Sequence, residues 1–283
     1  MPLVNSKEIL AEAREEGYGV PSIPGYDLEM VVGMIMAAEE KGSPLIIVFN
    51  PGLMSPRVPV ELGVPLIVNA AERASVPVVA AILEREQSLE AAVEGIRLGA
   101  SSVMFDGSSL PYEDNVEKTK EVVRMAHTAG ACVEAKLGSI ARSSAAPPES
   151  ALTDPDMAAE FVETTGVDAL AISFGNVYGA YGEKPALDLD RVRRIHAMVD
   201  VPLVMHGGSG LAEGDYKRVI ESGIAKVCYY TAMAREAGED LRGMMADAGQ
   251  DAPIYHEIIF RAIDHFYTGT KRLIDIVGSS GVV

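Results

Sequence analysis

Pro202-Leu203-Val204-Met205-His206-Gly207-Gly208-Ser209-Gly210 is the stretch on which the reading of this chain turns. An apolar run ends in a histidine and opens at once into a glycine-serine turn. Such a run reads as a buried strand that delivers an imidazole to a surface. The glycines expose backbone N–H groups, and with the Ser209 hydroxyl these can form a nest for a phosphate. His206 then stands within reach of whatever that phosphate carries. The pattern predicts an enzyme for a phosphorylated small molecule.

Working outward, short apolar runs alternate with helical patterns along the whole chain. Strands are expected over Tyr18–Ile23, Pro44–Phe49, Pro77–Leu83, Ser102–Phe105, Cys132–Leu137, Ala169–Phe174, Pro202–Met205 and Lys226–Tyr229. Their apolarity is continuous rather than alternating, as a parallel sheet covered on both faces requires. Ser88–Gly99 carries an N-cap serine, an apolar face and a closing glycine, and Asp190–Val199 has similar helical spacing. Eight such units in 283 residues predict a single-domain α/β fold, a (β/α)8 TIM barrel spanning 1–283. No linker, repeat or low-complexity tract divides it. The segment 139–155, rich in Ala, Ser and Pro, is a candidate active-site loop after the fifth strand.

Composition narrows the function classes. Nearly half of the residues are apolar, enough for a large core, and the formal charge of −17 disfavours nucleic acid and anionic membranes alike. Cys132 and Cys228 are far apart and read as buried thiols in a reducing compartment. Met1–Lys7 shows no leader pattern, and no run of about 18 apolar residues occurs. The expectation is a cytoplasmic protein with no membrane and no nucleic-acid partner.

In a barrel of this kind the chemistry sits at the carboxyl ends of the strands. That rule selects Asn50, Glu84, Arg85, Asp106, Glu134, Lys136, Asn176, Tyr178, His206 and Cys228–Thr231. One anomaly stands out among them. Val133-Glu134-Ala135-Lys136-Leu137 places two charges two residues apart in an apolar strand, and so on one face. Buried ionisable groups are paired or functional. His127, His196, His256 and His265 lie in helical patterns and read as ordinary surface or packing residues.

Taken together, these motifs resemble the class II, zinc-dependent fructose-bisphosphate and tagatose-bisphosphate aldolases over nearly the whole chain. The matching stretches are Ser102–Asn115, Val133–Gly138, Thr153–Pro155, Glu160–Asp168, Phe174–Gly179, the His206 turn and Gly278–Gly281. The resemblance implies a barrel, a homo-oligomer and a phosphorylated sugar as substrate. It also implies a phosphate grip at Gly179, Gly207, Gly208, Ser209 and Thr231.

The family's metal chemistry is carried over less completely. Its third strand ends in a proton-carrying Asp and a zinc-binding His, where this chain has Glu84 and Arg85. Tyr178 stands at a second zinc histidine, Lys136 at a carboxylate near the metal, and Cys228 at an Asn, while His206 is kept. An arginine beside a dication would repel it, so no metal and no cofactor are expected.

Lys136 can then serve in either of two ways. It can form a Schiff base with a ketone, or it can remain charged and hold an enediolate electrostatically. Alternatively it pairs with Glu134 or Glu84 in an inactive network. Glu84 or Tyr178 is expected to move the proton, while Arg85 and His206 stabilise negative charge, with Glu134 beside them. The expected activity is aldol cleavage or formation in a phosphorylated ketose. A sugar-phosphate isomerase or epimerase, or a non-catalytic phosphosugar-binding protein, stays open.

Overall fold

A computed structural model describes residues 2–54, 57–84, 89–141, 148–179, 186–248 and 251–283, and the side chain of Glu84 lies outside this description. Eight parallel strands close into a barrel in sequence order. They are β1 (Val20–Pro24), β2 (Leu45–Phe49), β3 (Val78–Glu84), β4 (Ser102–Phe105), β5 (Cys132–Leu137), β6 (Ala169–Ile172), β7 (Leu203–Met205) and β8 (Ile224–Cys228). The barrel closes where Val20 on β1 pairs with Lys226 on β8.

Alternation along each strand explains why the runs are apolar throughout. On β2, Ile46 and Val48 join a cluster inside the barrel, while Ile47 and Phe49 join the layer between strands and helices. Both faces are removed from water, so a polar residue on either costs free energy unless it finds a partner. The charges of β5 are therefore exceptions that the interior must satisfy.

Local sequence sets the helix boundaries. Helix Pro155–Thr165 starts with Asp154 accepting the N–H groups of Asp156 and Met157, and it ends at Gly166 with φ 69°. Helix Leu189–Met198 is capped by Asp188, close to the expected span. Helix Leu89–Arg97 falls within the expected Ser88–Gly99, though Ser88 lies outside the described residues. β6 stops two residues earlier than expected, because the N–H of Ser173 donates to the Thr153 hydroxyl at 2.8 Å rather than extending the ladder. No helix among the described residues is long and apolar enough to cross a membrane.

One irregularity matters for the site. Leu203 pairs with Ile224, but Val204 pairs with Lys226, so Ala225 is an extra residue on β8. Ala225 belongs to the interior cluster while Ile224 and Val227 belong to the outer layer. This bulge turns the Lys226 side chain into the barrel, where simple alternation from Ile224 would have turned it out.

Candidate active site

A cavity of about 420 Å³ opens at the carboxyl ends of the strands. On one side it is bordered by Gly179, Gly207, Ser209 and Thr231, four of the five residues expected to grip a phosphate. Gly207 has φ 73°, and a Cβ there would lie 2.1 Å from the carbonyl oxygen of Val177. Only glycine fits that combination of left-handed backbone and close approach. Ser209 Oγ accepts the N–H of Tyr230 at 3.0 Å, and the helix Thr231–Asp247 starts at the next residue. A hydroxyl that accepts can still donate, and a helix N-terminus favours an anion. Gly208 differs from the expectation. Its N–H is committed to the carbonyl of Cys228 at 3.0 Å, so it shapes the turn and offers no donor there.

Deeper in the barrel the two β5 charges find separate partners. Glu134 accepts from Lys226 Nζ at 2.5 Å and lies 2.7 Å from His206 Nε2. All three side chains are 6–7% exposed. Burial alone would push the Glu134 carboxyl up, but the Lys226 ammonium and the bond from His206 outweigh it and hold it at about 2. Burial likewise opposes a charged His206, yet Cys228 and Glu134 draw it up to about 9. Burial also works against the Lys226 ammonium, which Glu134 overrides, raising its pKa. Cys228 Sγ lies 3.8 Å from His206 Nε2. Its thiol is lowered despite burial, because His206 and Lys226 supply positive charge. Of the two thiols expected to be buried, Cys132 is, whereas Cys228 is partly exposed and lines the cavity.

Lys136 does not take Glu134 as its partner, so of the alternative in which it pairs with Glu134 or Glu84 the Glu134 pairing is not found. Its Nζ lies 2.8 Å from Asp106 Oδ2, with side-chain exposures of 5% and 13%. The reason is position. Glu134 lies one pleat deeper, level with Ala169, and Lys136 is nearer the strand ends where Asp106 follows β4. Asp106 also accepts from the Ser108 hydroxyl at 2.6 Å. Burial would raise its pKa, but Lys136 and these hydrogen bonds hold it below the usual range. The Tyr178 hydroxyl is 3.5 Å from Lys136 Nζ, and the ammonium also sits 5.4 Å from the centre of that ring. Tyr178 and His206 line the cavity, while Lys136 and Glu134 stand behind them.

Two residues of this site escape a reading by motif. Lys226 looked like the start of a strand, yet Ile224–Cys228 shows the same anomaly as β5, a lysine within an apolar run. Asp106 stood among the strand-end residues with nothing to mark it as the partner of Lys136. Arg85, Glu84 (for its side chain) and residues 142–147 of the candidate loop lie outside the described residues. The flanks of that loop are tied down: Ser139 N–H donates to Ala151, and Tyr178 N–H to Ala141.

The donors among the described residues do not form a three-ligand zinc set. Among the described residues no three His, Cys, Asp or Glu side chains are grouped to hold a metal. A catalytic zinc takes three protein ligands and an open position. Here the His206 nitrogen facing Glu134 already shares that carboxylate with an ammonium.

Comparison with known proteins agrees with this architecture. Residues 4–282 match the family model described as fructose-bisphosphate aldolase class-II. The chain is 36% identical over 250 residues to the uncharacterized protein YdjI of Escherichia coli strain K12, covering 87% of each. The crystal structure of the YdjI aldolase from Escherichia coli K12 superposes with a TM-score of 0.88 at 32% identity, covering 99% of this chain and 98% of that one. Fructose-bisphosphate aldolase from Campylobacter jejuni has a TM-score of 0.80 at 19% identity, over 96% of this chain and 94% of the other, a likeness of fold. The matched family and the closed eight-stranded barrel point the same way: this chain belongs to the class II fructose-bisphosphate aldolase family.

Proposed function

We propose that this chain makes or breaks a carbon–carbon bond in a phosphorylated ketose, with fixed side-chain cations in place of a metal ion. The observation that carries this reading is the buried Lys136 ammonium, 2.8 Å from Asp106 and 3.5 Å from the hydroxyl of a cavity-lining tyrosine. Cleaving an aldol leaves an enediolate, so negative charge grows on the former carbonyl oxygen. Preorganised positive charge and donors at that oxygen lower the barrier. His206 supplies one such group, because at neutral pH its pKa of about 9 keeps the ring charged. Tyr178 supplies a hydroxyl backed by Lys136, and Arg85, next in sequence after β3, is the further cation of this reading. Gly179, Gly207, Ser209 and Thr231 anchor the phosphate, and Tyr178 or Glu84 moves the proton. Glu134 holds His206 in place.

Of the two uses open to Lys136, the pairing with Asp106 favours charge over imine. An amine must shed its proton before it attacks a carbonyl, and the carboxylate pairs with the protonated form. The test is borohydride reduction during turnover of candidate ketose phosphates, followed by peptide mass analysis and product identification. Carbon–carbon cleavage that leaves Lys136 unmodified and survives chelation is the expected result. A reduced adduct on Lys136 would make the enzyme an imine former, and chelator-sensitive turnover with stoichiometric zinc would refute metal independence. An isomerised ketose or aldose as sole product would replace the aldolase reading.

A further inference from the structure

The cavity has two unlike walls. The strand ends of β7 and β8 supply His206, Ser209, Lys226 and Cys228. Among the described residues, the wall from β1 to β4 is formed largely by Pro24, Val48, Ala81, Leu83 and Met104, with Leu53 from the short helix after β2. Val48, Ala81, Leu83 and Met104 keep 4–8% exposure, whereas the deeper interior residues Ile46 and Val79 keep none. Their residual surface is therefore the cavity wall. Tyr26 and Tyr230, both lining the cavity, meet edge to face with ring centres 5.6 Å apart.

Among the described residues, Ser22 and Asn50 place polar atoms behind this wall. Ser22 Oγ and Asn50 Oδ1 belong to residues 1% and 8% exposed, and neither atom has a hydrogen-bond partner among the described residues. Both residues line the cavity. Each of these atoms has almost no accessible surface, so neither offers a polar ligand a contact at the wall. A phosphate or a polyhydroxylated chain laid along Val48, Leu83 and Met104 would give up water and gain nothing. A hydrocarbon would gain with every methylene covered.

We infer that the half of the substrate remote from the phosphate is a hydrocarbon chain or ring, so the acceptor aldehyde is apolar and carries no second phosphate. The inference rests on the aldol reading above. In the synthetic direction a base of the enzyme takes a proton from the carbon beside the carbonyl of the donor ketone phosphate. The electron pair left on that carbon forms the new bond to the aldehyde carbon. The aldehyde π pair moves to oxygen, and a proton from the enzyme neutralises the alkoxide.

The experiment uses the full chain with dihydroxyacetone phosphate as donor. The acceptors are ethanal, propanal, butanal, pentanal and benzaldehyde, set against glyceraldehyde and glyceraldehyde 3-phosphate. Each added methylene raises kcat/KM about fourfold, and pentanal exceeds glyceraldehyde 3-phosphate at least tenfold. In Leu83→Asn, and in the size-matched Val48→Thr, the pentanal-to-ethanal ratio falls at least threefold. Condensation that favours glyceraldehyde 3-phosphate, with a flat aliphatic series, overturns the inference and leaves the aldolase reading standing. Ratios unchanged in both variants overturn it too. Failure to condense any aldehyde removes the aldolase reading and this inference with it.

Discussion

Replacing Lys226 with methionine isolates the interaction on which the interior of the barrel depends. The Lys226 Nζ is 2.5 Å from Glu134 Oε2, and the two side chains are 7% and 6% exposed. Methionine keeps most of the stem volume and deletes the charge, leaving the carboxylate with His206 at 2.7 Å. Deleting one member of a buried pair costs about 3–5 kcal/mol, because the other charge stays desolvated. The carboxyl itself gives a second figure. Its fall from 4.5 to about 2 corresponds to roughly 3 kcal/mol of differential stabilisation. For a chain of 283 residues such a loss lowers Tm by about 5–8 °C. Urea unfolding and thermal melting at pH 7 measure both numbers. A neutral amide needs no counter-ion, so adding Glu134→Gln recovers at least about 2 kcal/mol relative to additivity. A loss below about 1 kcal/mol, or strict additivity in the double variant, would show that the pair is not what holds the carboxylate.

Three further expectations follow from the same geometry. Tyr178→Phe removes the hydroxyl beside Lys136 and lowers kcat by about 10²–10⁴-fold with the unfolding free energy nearly unchanged. A drop confined to KM would contradict a role for that hydroxyl in proton movement. Gly207→Ala combines a φ of 73° with a contact at 2.1 Å. It costs at least about 1–2 kcal/mol and abolishes calorimetric binding of inorganic phosphate, while Gly214→Ala, where a Cβ meets nothing within 4 Å, leaves binding intact. The third concerns pH. Glu134 is depressed, so its contribution is complete above 4.5 and disappears as pH falls toward 2. His206 is raised, so its contribution is complete below 6.5 and disappears as pH climbs through about 9. Urea midpoints should therefore decline on the alkaline side, and His206→Gln should erase that decline. An alkaline decline that persists in His206→Gln would assign it elsewhere.

Much of the barrel was legible in the residues because burial on both faces writes itself as unbroken apolar runs. Ile46 and Ile47 are equally buried, one inside the barrel and one beneath the helices, and no alternation is left to misread. The strand-end rule then located Asn50, Tyr178, His206 and Thr231 on one cavity. Where strands stop was less legible. Ser173 continues an apolar pattern but leaves the ladder because a threonine 20 residues away takes its N–H.

By itself the sequence determined that eight strands alternate with helices, that a glycine turn follows His206, and that β5 carries two charges on one face. These are local properties, set by period, by turn chemistry and by the cost of burying a charge. Only the tertiary structure decided which charges meet. Lys136 finds Asp106 across 30 positions and Glu134 finds Lys226 across 92, through strand stagger and through a bulge at Ala225. The same closure spends the Gly208 N–H on Cys228 and sets an apolar wall opposite a charged one. The physical reason is that a charge in a low-dielectric interior takes whichever partner the closed register brings within about 3 Å, and register is a property of the whole barrel.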